Sequence, residues 1–482
     1  MINIRLVFFA MLLFMGLLSA QNRQLLYDFY ETPQSLLVNP GVKTPYKWHV
    51  GIPLTSGISA HAGSSGVTVN DLFANDGLSF TDKVRDKVVN GLTQRDEFGA
   101  GFQIDILNIG FRDKNHPDDY FSFGIYGEFE LVQYWPADIA ILAFEGNANN
   151  IDRSFDLSHL TTFSEAVNVF HFGINRKVND NLRLGLRGKI YSSIFEAKST
   201  SNTGSFTTTR GENNILRNTL IADLQFRTSG VEEIINALDE NDNASANLSS
   251  LLLGRSFFGG NLGLGFDVGF TYKLNQRTFL TGSLLDIGFI YHSKDIKNYT
   301  LEGTASNEGI EIILPEAFDD INNDIWQNLV DDIEEQVPFE TNSDAYISLR
   351  PIKLNASIRY NFGKENQKVD DCSCGTNTVI NDSPFDYKNA VGGHLYMINR
   401  PKGPQAAVTA FYQKRVGNAL AIKATYTANK FTFTNIGLGL NFQAGPVNFY
   451  VLGDNLTGYQ NIANSNYASL QFGFNIISWN SN

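Results

Sequence analysis

Tyr120-Phe121-Ser122-Phe123-Gly124-Ile125-Tyr126-Gly127-Glu128-Phe129-Glu130-Leu131 is the stretch on which the fold turns. Phe121, Phe123, Ile125, Phe129 and Leu131 share one parity, and Ser122, Gly124, Tyr126, Glu128 and Glu130 share the other. Successive side chains of a strand point to opposite sides, so this segment has one greasy face and one polar, charged face. Its length matches the roughly 9–11 residues that a tilted strand needs to cross a bilayer.

The same alternation recurs along the chain. Phe170, Phe172 and Ile174 alternate with His171, Gly173 and Asn175, and after the turn Asn179-Asp180-Asn181 the residues Leu182, Leu184, Leu186 and Ile190 alternate with Arg183, Gly185, Arg187 and Lys189. This pair reads as a hairpin. Further runs follow at Leu262–Phe270, Ile352–Phe362, Ile436–Phe442 and Leu470–Ile476. A soluble sandwich also alternates, but its strands usually run about five or six residues. Here the long runs are joined alternately by short turns (Asn179-Asp180, Asn275-Gln276, Gly417-Asn418, Gly445-Pro446) and by long connections at Gly63–Glu97, Trp135–Glu165, Gly230–Arg255 and Thr304–Ser343. That asymmetry marks an all-β, antiparallel, up-and-down transmembrane barrel with short periplasmic turns and long extracellular loops. The runs number about fourteen, within a range of twelve to sixteen, and Ser199–Asn214 reads equally as a strand, a strand extension or a loop. An even number places both termini in the periplasm.

The ends and the composition set the compartment. Arg5 precedes an apolar run from Leu6 to Leu18 that ends at Leu18-Ser19-Ala20, which reads as a secretory signal peptide over residues 1–20. Residues 21–46 then form an N-terminal periplasmic or lumenal segment, and 47–482 form the barrel. No other run reaches the ~18 apolar residues of a spanning helix. The expected location is the outer membrane of a Gram-negative bacterium, with its lipid as one partner and a surface or periplasmic protein as another. A formal net charge of -13 excludes a nucleic-acid partner, which needs a basic face.

The polar faces hold charges of both signs: Glu128, Glu130, Arg183, Arg187, Lys189, Asp267, Lys353 and Arg359. Facing the lumen, they either line a wet pore or pair across it. Inward glycines such as Gly263, Gly265, Gly269, Gly437, Gly439 and Gly473 leave room for an inserted element or provide curvature. Cys372 and Cys374, one residue apart in a periplasmic connection, are a candidate disulfide. Within the acidic loop, Ile325, Leu329 and Ile333 recur every four residues, a short amphipathic helix suited to a lid at the barrel mouth. The seven histidines show no metal-ligand spacing, and no nucleophile, base and orienting group sit near one another in the sequence. The reading is a non-enzyme without cofactor or metal.

The stretch from Leu26-Tyr27-Asp28-Phe29 through Pro33-Gln34-Ser35-Leu36-Leu37-Val38-Asn39-Pro40-Gly41 resembles the start of PorP/SprF-type barrels, a group associated with type IX secretion and gliding. Gly41 stands where that group typically has alanine. Leu284–Ile290, Gly453-Asp454-Asn455-Leu456 and Leu470–Asn475 are similar in style to the same barrels, and to an allied family whose function is not established. The resemblance implies a barrel of the fatty-acid-transporter superfamily style, commonly fourteen-stranded. By that analogy Ser35–Pro45 enters or caps the lumen, with Asn39, Pro40 and Gly41 as the candidate plug element. The function it implies is an accessory or anchoring component of a surface secretion or motility system. The alternative is a transporter or porin for a small hydrophobic or polar solute.

Overall fold

The computed structural model describes residues 24–200, 202–211, 215–239, 244–308, 339–364, 387–417 and 419–479. The expected signal peptide, the cysteine pair and the acidic helix around Ile325 lie outside the described residues.

Fourteen strands build the wall: β1 (two arms, Tyr46–Gly51 and Ile58–Ser64), β2 (Glu97–Arg112), β3 (Asp119–Tyr134), β4 (Thr162–Lys177) and β5 (Leu182–Ser199), then β6 (Asn261–Lys273), β7 (Thr278–His292), β8 (two arms, Tyr346–Leu349 and Lys353–Lys364), β9 (Tyr387–Arg400) and β10 (Gly403–Val416), then β11 (Leu420–Ala428), β12 (Asn435–Ala444), β13 (Val447–Asp454) and β14 (Tyr467–Trp479). Each is antiparallel to the next, and β14 closes on both arms of β1 through pairs such as Val50↔Ile476 and Ala60↔Leu470. Closure matters because hydrocarbon offers no hydrogen-bond partner to a free sheet edge. No described helix is long and apolar enough to cross a membrane.

The wall is greasy outside and polar inside. Leu264 and Phe172 are 58% and 56% exposed, whereas Arg187 and Asp267 between such residues are 2% and 0% exposed. A water-soluble β-protein shows the reverse, so the outward face is a lipid face. Aromatic rows reinforce it, with Phe111, Phe121 and Phe172 touching in sequence across β2, β3 and β4.

The long extracellular connections are themselves folded. Ser154–Asp156, Thr203–Arg210, Leu216–Ser229, Ile296–Glu308 and Phe339–Asn342 pair into an outer sheet standing above β4–β7. It joins the wall where Glu196–Ser199 of β5 pair with Phe226–Ser229. The ambiguous stretch 199–214 therefore contributes a strand, but to this sheet and not to the barrel. The expected connections Gly230–Arg255 and Thr304–Ser343 are likewise broader, running from β5 to β6 and from β7 to β8, because Leu216–Ser229 and Ile296–Glu308 pair with each other outside the wall instead of continuing it.

An arginine placed on the lipid face reads out this assignment. Ile190→Arg, on the outward side of β5, is expected to destabilise the refolded barrel by about 2–4 kcal/mol in urea titrations in lipid vesicles. A cost near zero would place Ile190 outside the hydrocarbon.

Candidate functional site

A barrel of about eight strands is filled by its own side chains, and one of sixteen leaves a channel. Fourteen strands leave an interior that needs an occupant. The segment before β1 supplies it. Residues 24–42 are all buried, and their only regular element is the one-turn helix Ser35–Val38.

An irregular segment cannot satisfy its own backbone, and the wall does it instead. Lys423 donates to the carbonyls of Leu25 and Tyr27, Arg359 to that of Asp28 at 2.8 Å, and Asn441 to that of Glu31 at 3.1 Å. Arg187 spreads its Nη1 and Nη2 over the carbonyls of Leu36 and Leu37 at 2.9 and 2.7 Å. Ser283 takes Val38, Asn175 takes Pro40 and Val42, and Thr271 takes Gly41. In the other direction Gln34 donates to the Ser56 carbonyl at 2.7 Å, which turns inward at the bulge between the arms of β1. Burial pushes the phenols of Tyr27 and Tyr30 above their ordinary pKa, with the adjacent Asp28 charge adding to it. Both therefore remain neutral, Tyr30 donating to Asp28 Oδ1 and Tyr27 accepting from Asn39 Nδ2.

Asn39, Pro40 and Gly41 sit on a seat made of two glycines. Gly185 of β5 and Gly269 of β6 face each other across the strand pair. A Cβ on Gly185 would fall on the Pro40 carbonyl, one on Gly269 on the Asn39 side chain, and one on Gly41 on the backbone of Gly269. This contact leaves no room for a side chain at position 41. Gly437 and Gly439 make similar room for Leu25 and Phe29, whereas Gly263, Gly265 and Gly473 abut wall atoms only.

On the extracellular side of this segment the wall charges join into one network. Asp267 bonds Arg187 at 2.6 Å and Lys189 at 2.9 Å. Asp286 bridges Lys189 to Lys353 at 2.5 and 3.0 Å, and Glu128 bridges Lys353 to Arg350 at 2.8 and 3.1 Å. Arg350 ends the chain on Glu165. Four cations meet four carboxylates, so the network is neutral, as a buried charge cluster must be. Glu130 pairs separately with Arg400 at 2.7 Å. Arg183 lies apart toward the periplasm, on Asn175 and the Asp118 carbonyl, and Arg359 serves the N-terminal segment.

Strand parity does not point to Asp286 or Arg350. Asp286 takes φ +60° in a bulge that sets Leu285 and Asp286 opposite Asp267, and Glu165 shares the inward parity of His171, Gly173 and Asn175 but stands where the sequence reads as the end of the connection from Trp135. Arg350 stands before Pro351, between the arms of β8. A second constellation also escapes the sequence. Ser229 Oγ lies 2.7 Å from His292 Nδ1, and His292 Nε2 lies 3.6 Å from Glu196 Oε1. All three residues are fully buried, and Tyr346 stacks on the imidazole at 4.6 Å, so no substrate reaches the serine.

Between Val38 and Glu128, Lys353 and Asn355 there is a void of about 30 Å³, the share of one liquid water. Above it, at the extracellular mouth, opens a vestibule of about 980 Å³ between β4, β5, β8 and the β9–β10 turn.

A model for a family of unknown function (DUF5723) matches residues 40–454. The chain belongs to that family. Among solved structures, the DUF5723 chain is similar to the toluene transporter TbuX of Ralstonia pickettii, at 10% identity and TM-score 0.38, covering 92% of this chain and 94% of that one. It is similar also to a FadL homologue of Pseudomonas aeruginosa, at 10% identity and TM-score 0.36, with 96% of each chain covered. No curated protein matches it. The lipid-facing barrel is that of a Gram-negative outer-membrane protein.

Two substitutions test the packing. Gly269→Val is expected to unseat Asn39–Gly41 without opening the wall, so that a cysteine replacing Pro40 becomes reactive to a water-soluble maleimide that it resists in the parent. Arg187→Ala leaves two carbonyls and part of the Asp267 charge uncovered, and is expected to cost about 3–5 kcal/mol in urea unfolding. Arg176→Ala, which breaks the rim pair with Asp119, is expected to cost about 0–1 kcal/mol. Equal costs would mean that the lumenal network is no drier than the rim.

Proposed function

We propose that this protein is a non-enzymatic transporter for a small solute, closed at rest by its own N-terminal segment. One observation carries the reading. The lumen is blocked by a separate, irregular piece of chain, and not by wall side chains meeting across it. That piece is held by hydrogen bonds from wall side chains to its carbonyls and by packing of Leu25, Phe29 and Val38 against Ala421, Tyr450 and Leu452. The hydrogen bonds exchange with water at a net cost of about 0.5–1.5 kcal/mol each from neutral donors and about 1.5–3 kcal/mol from the arginines and the lysine. The wall closes through pairs of β1 with β14 and β2 that leave the segment out, so the segment is able to leave while the wall stays intact. The vestibule lies on the extracellular side of the segment, floored by Arg350 and Arg400 of the wall. The solute class, small and either hydrophobic or polar, follows from the narrowness of what the segment vacates.

A second reading has its own support. As an accessory or anchoring barrel for a surface secretion or motility system, akin to PorP/SprF-type barrels, the protein would present its loops to a partner. The outer sheet and the exposed Phe73, Leu78 and Phe80 of the β1–β2 loop favour it.

Planar-bilayer conductance separates the two. The transporter reading expects the intact chain to be nearly silent and a variant lacking residues 21–45 to pass steady current. Gly269→Val is expected to give intermittent openings. Silence in all three, with heat-modifiable folded barrels in each, would overturn it in favour of the anchor.

A further inference from the structure

We propose that the outer vestibule is a binding site for a phosphate-bearing ligand. Five cations, Arg95, Lys198, Arg350, Arg400 and Lys402, line it, and among the described residues no carboxylate does. That is notable in a chain of net charge -13. The volume, about 980 Å³, lies at the upper end of the roughly 300–1,000 Å³ range of small-molecule sites.

The cations are not a loose surface cluster. Arg350 and Arg400 form the floor, with side chains only 3% exposed. Their carboxylate partners, Glu128 and Glu165 for Arg350 and Glu130 for Arg400, sit behind them in the lumen wall. The remaining donors are unspent: Nε and Nη1 of Arg400 and Nε of Arg350 are buried without a hydrogen-bond partner. Buried N–H groups of a charged guanidinium demand an acceptor. Above them, Lys198 leans on Glu196 at 3.6 Å and donates to Ser348. Lys402 donates to the Gln94 carbonyl and lies 4.8 Å from the ring of Tyr134, which Lys430 approaches at 5.4 Å. Among the described residues no carboxylate forms an ion pair with Arg95 or Lys402. The floor is neutralised, Lys198 has Glu196 beside it, and Arg95 and Lys402 are the cations left to an incoming anion. A doubly charged oxyanion seated between these two and the floor N–H groups meets both needs, whereas a monovalent anion meets one.

The vestibule has two entrances, and both suit a phosphate. From above it is open to solvent. From the side it is open at the seam of β8 and β9: β9 joins β8 only from Lys353↔Ile398 downward, while the upper arm Tyr346–Leu349 pairs with β7 alone among the described strands. Ile347 and Leu349 of that arm line the vestibule and stand 58% and 77% exposed. A phosphorylated headgroup of the outer leaflet could therefore place its phosphate on Arg400 and its acyl chains along Ile347 and Leu349. A soluble phosphorylated solute would use the upper entrance.

The test uses the full-length mature chain, so it stands apart from any conductance result. One arm titrates the detergent-solubilised protein with inorganic pyrophosphate by calorimetry. The other reconstitutes it in phosphatidylcholine vesicles carrying lipopolysaccharide, or the same lipopolysaccharide stripped of phosphate, and measures what is retained through size exclusion. Saturable 1:1 binding in the first arm alone identifies a soluble ligand, and phosphate-dependent retention in the second identifies the lipid headgroup. Either supports the site. Arg95→Glu/Lys402→Glu, both exposed and away from the lumenal network, is expected to weaken binding about tenfold or more. Glu130→Gln/Arg400→Gln removes the floor cation while keeping the charge balanced, and is expected to abolish it. No saturable binding in either arm, or equal binding by folded Arg95→Glu/Lys402→Glu, would overturn the proposal.

Discussion

Every carbonyl of an irregular chain inside a barrel must find a donor, and that demand organises this protein. A strand or helix satisfies itself, but Leu25–Val42 is neither apart from one turn. Its acceptors are met by lysine, arginine, asparagine, serine and threonine side chains projecting from strands all around the wall. The barrel and its contents are thus one hydrogen-bonded system. The inward face of each strand is polar because it solvates a peptide, not only because it faces a pore. The cost of leaving such groups bare in a dry interior exceeds what their bonds contribute when made.

The charges obey the same rule at longer range. A low-dielectric interior tolerates ions only in balanced clusters. Here Arg187 is the joint between two systems, since its guanidinium serves Asp267 on one edge and two carbonyls of the N-terminal segment on the other. Movement of that segment therefore acts directly on the end of the ion network that continues through Lys189, Asp286 and Lys353 to the floor of the vestibule. A contiguous physical connection joins the periplasmic and extracellular ends of the lumen.

How much of this was legible in the sequence depended on periodicity. Strand β3 alternates over its whole length, and a closed barrel with polar lumen follows from such runs. Parity fails wherever the backbone slips by one. Asp286 lies in such a slip and is hidden by it, whereas Glu165 keeps the parity of His171, Gly173 and Asn175 and is missed only because it stands ahead of the clearly alternating run of β4. The glycines had two readings, and both hold: Gly185, Gly269, Gly437 and Gly439 accommodate the N-terminal segment, while Gly263, Gly265 and Gly473 accommodate the wall itself. Periodicity does not separate the outer sheet from the wall: Leu216, Leu220, Leu224 and Phe226 alternate with Arg217, Thr219, Asp223, Gln225 and Arg227 as a wall strand does, and only the pairing partners place this strand outside the barrel. Ser229, His292 and Glu196 are brought together only by the pairing of β5 with Leu216–Ser229, far apart along the chain.

The wall is also uneven in height. Strands β3, β4 and β5 contain 16, 16 and 18 residues, whereas β11, β12 and β13 contain 9, 10 and 8. At about 3.3 Å per residue and a tilt near 40°, the short group rises only roughly 20–25 Å, no more than the apolar band it has to match. The tall group stands well clear of the bilayer. Hydrophobic mismatch is therefore confined to one side of the cylinder, where the lipid must thin or the molecule must list toward its short flank. The barrel thereby acquires a front and a back in the plane of the membrane, and neighbours that prefer thin bilayer are sorted to the front.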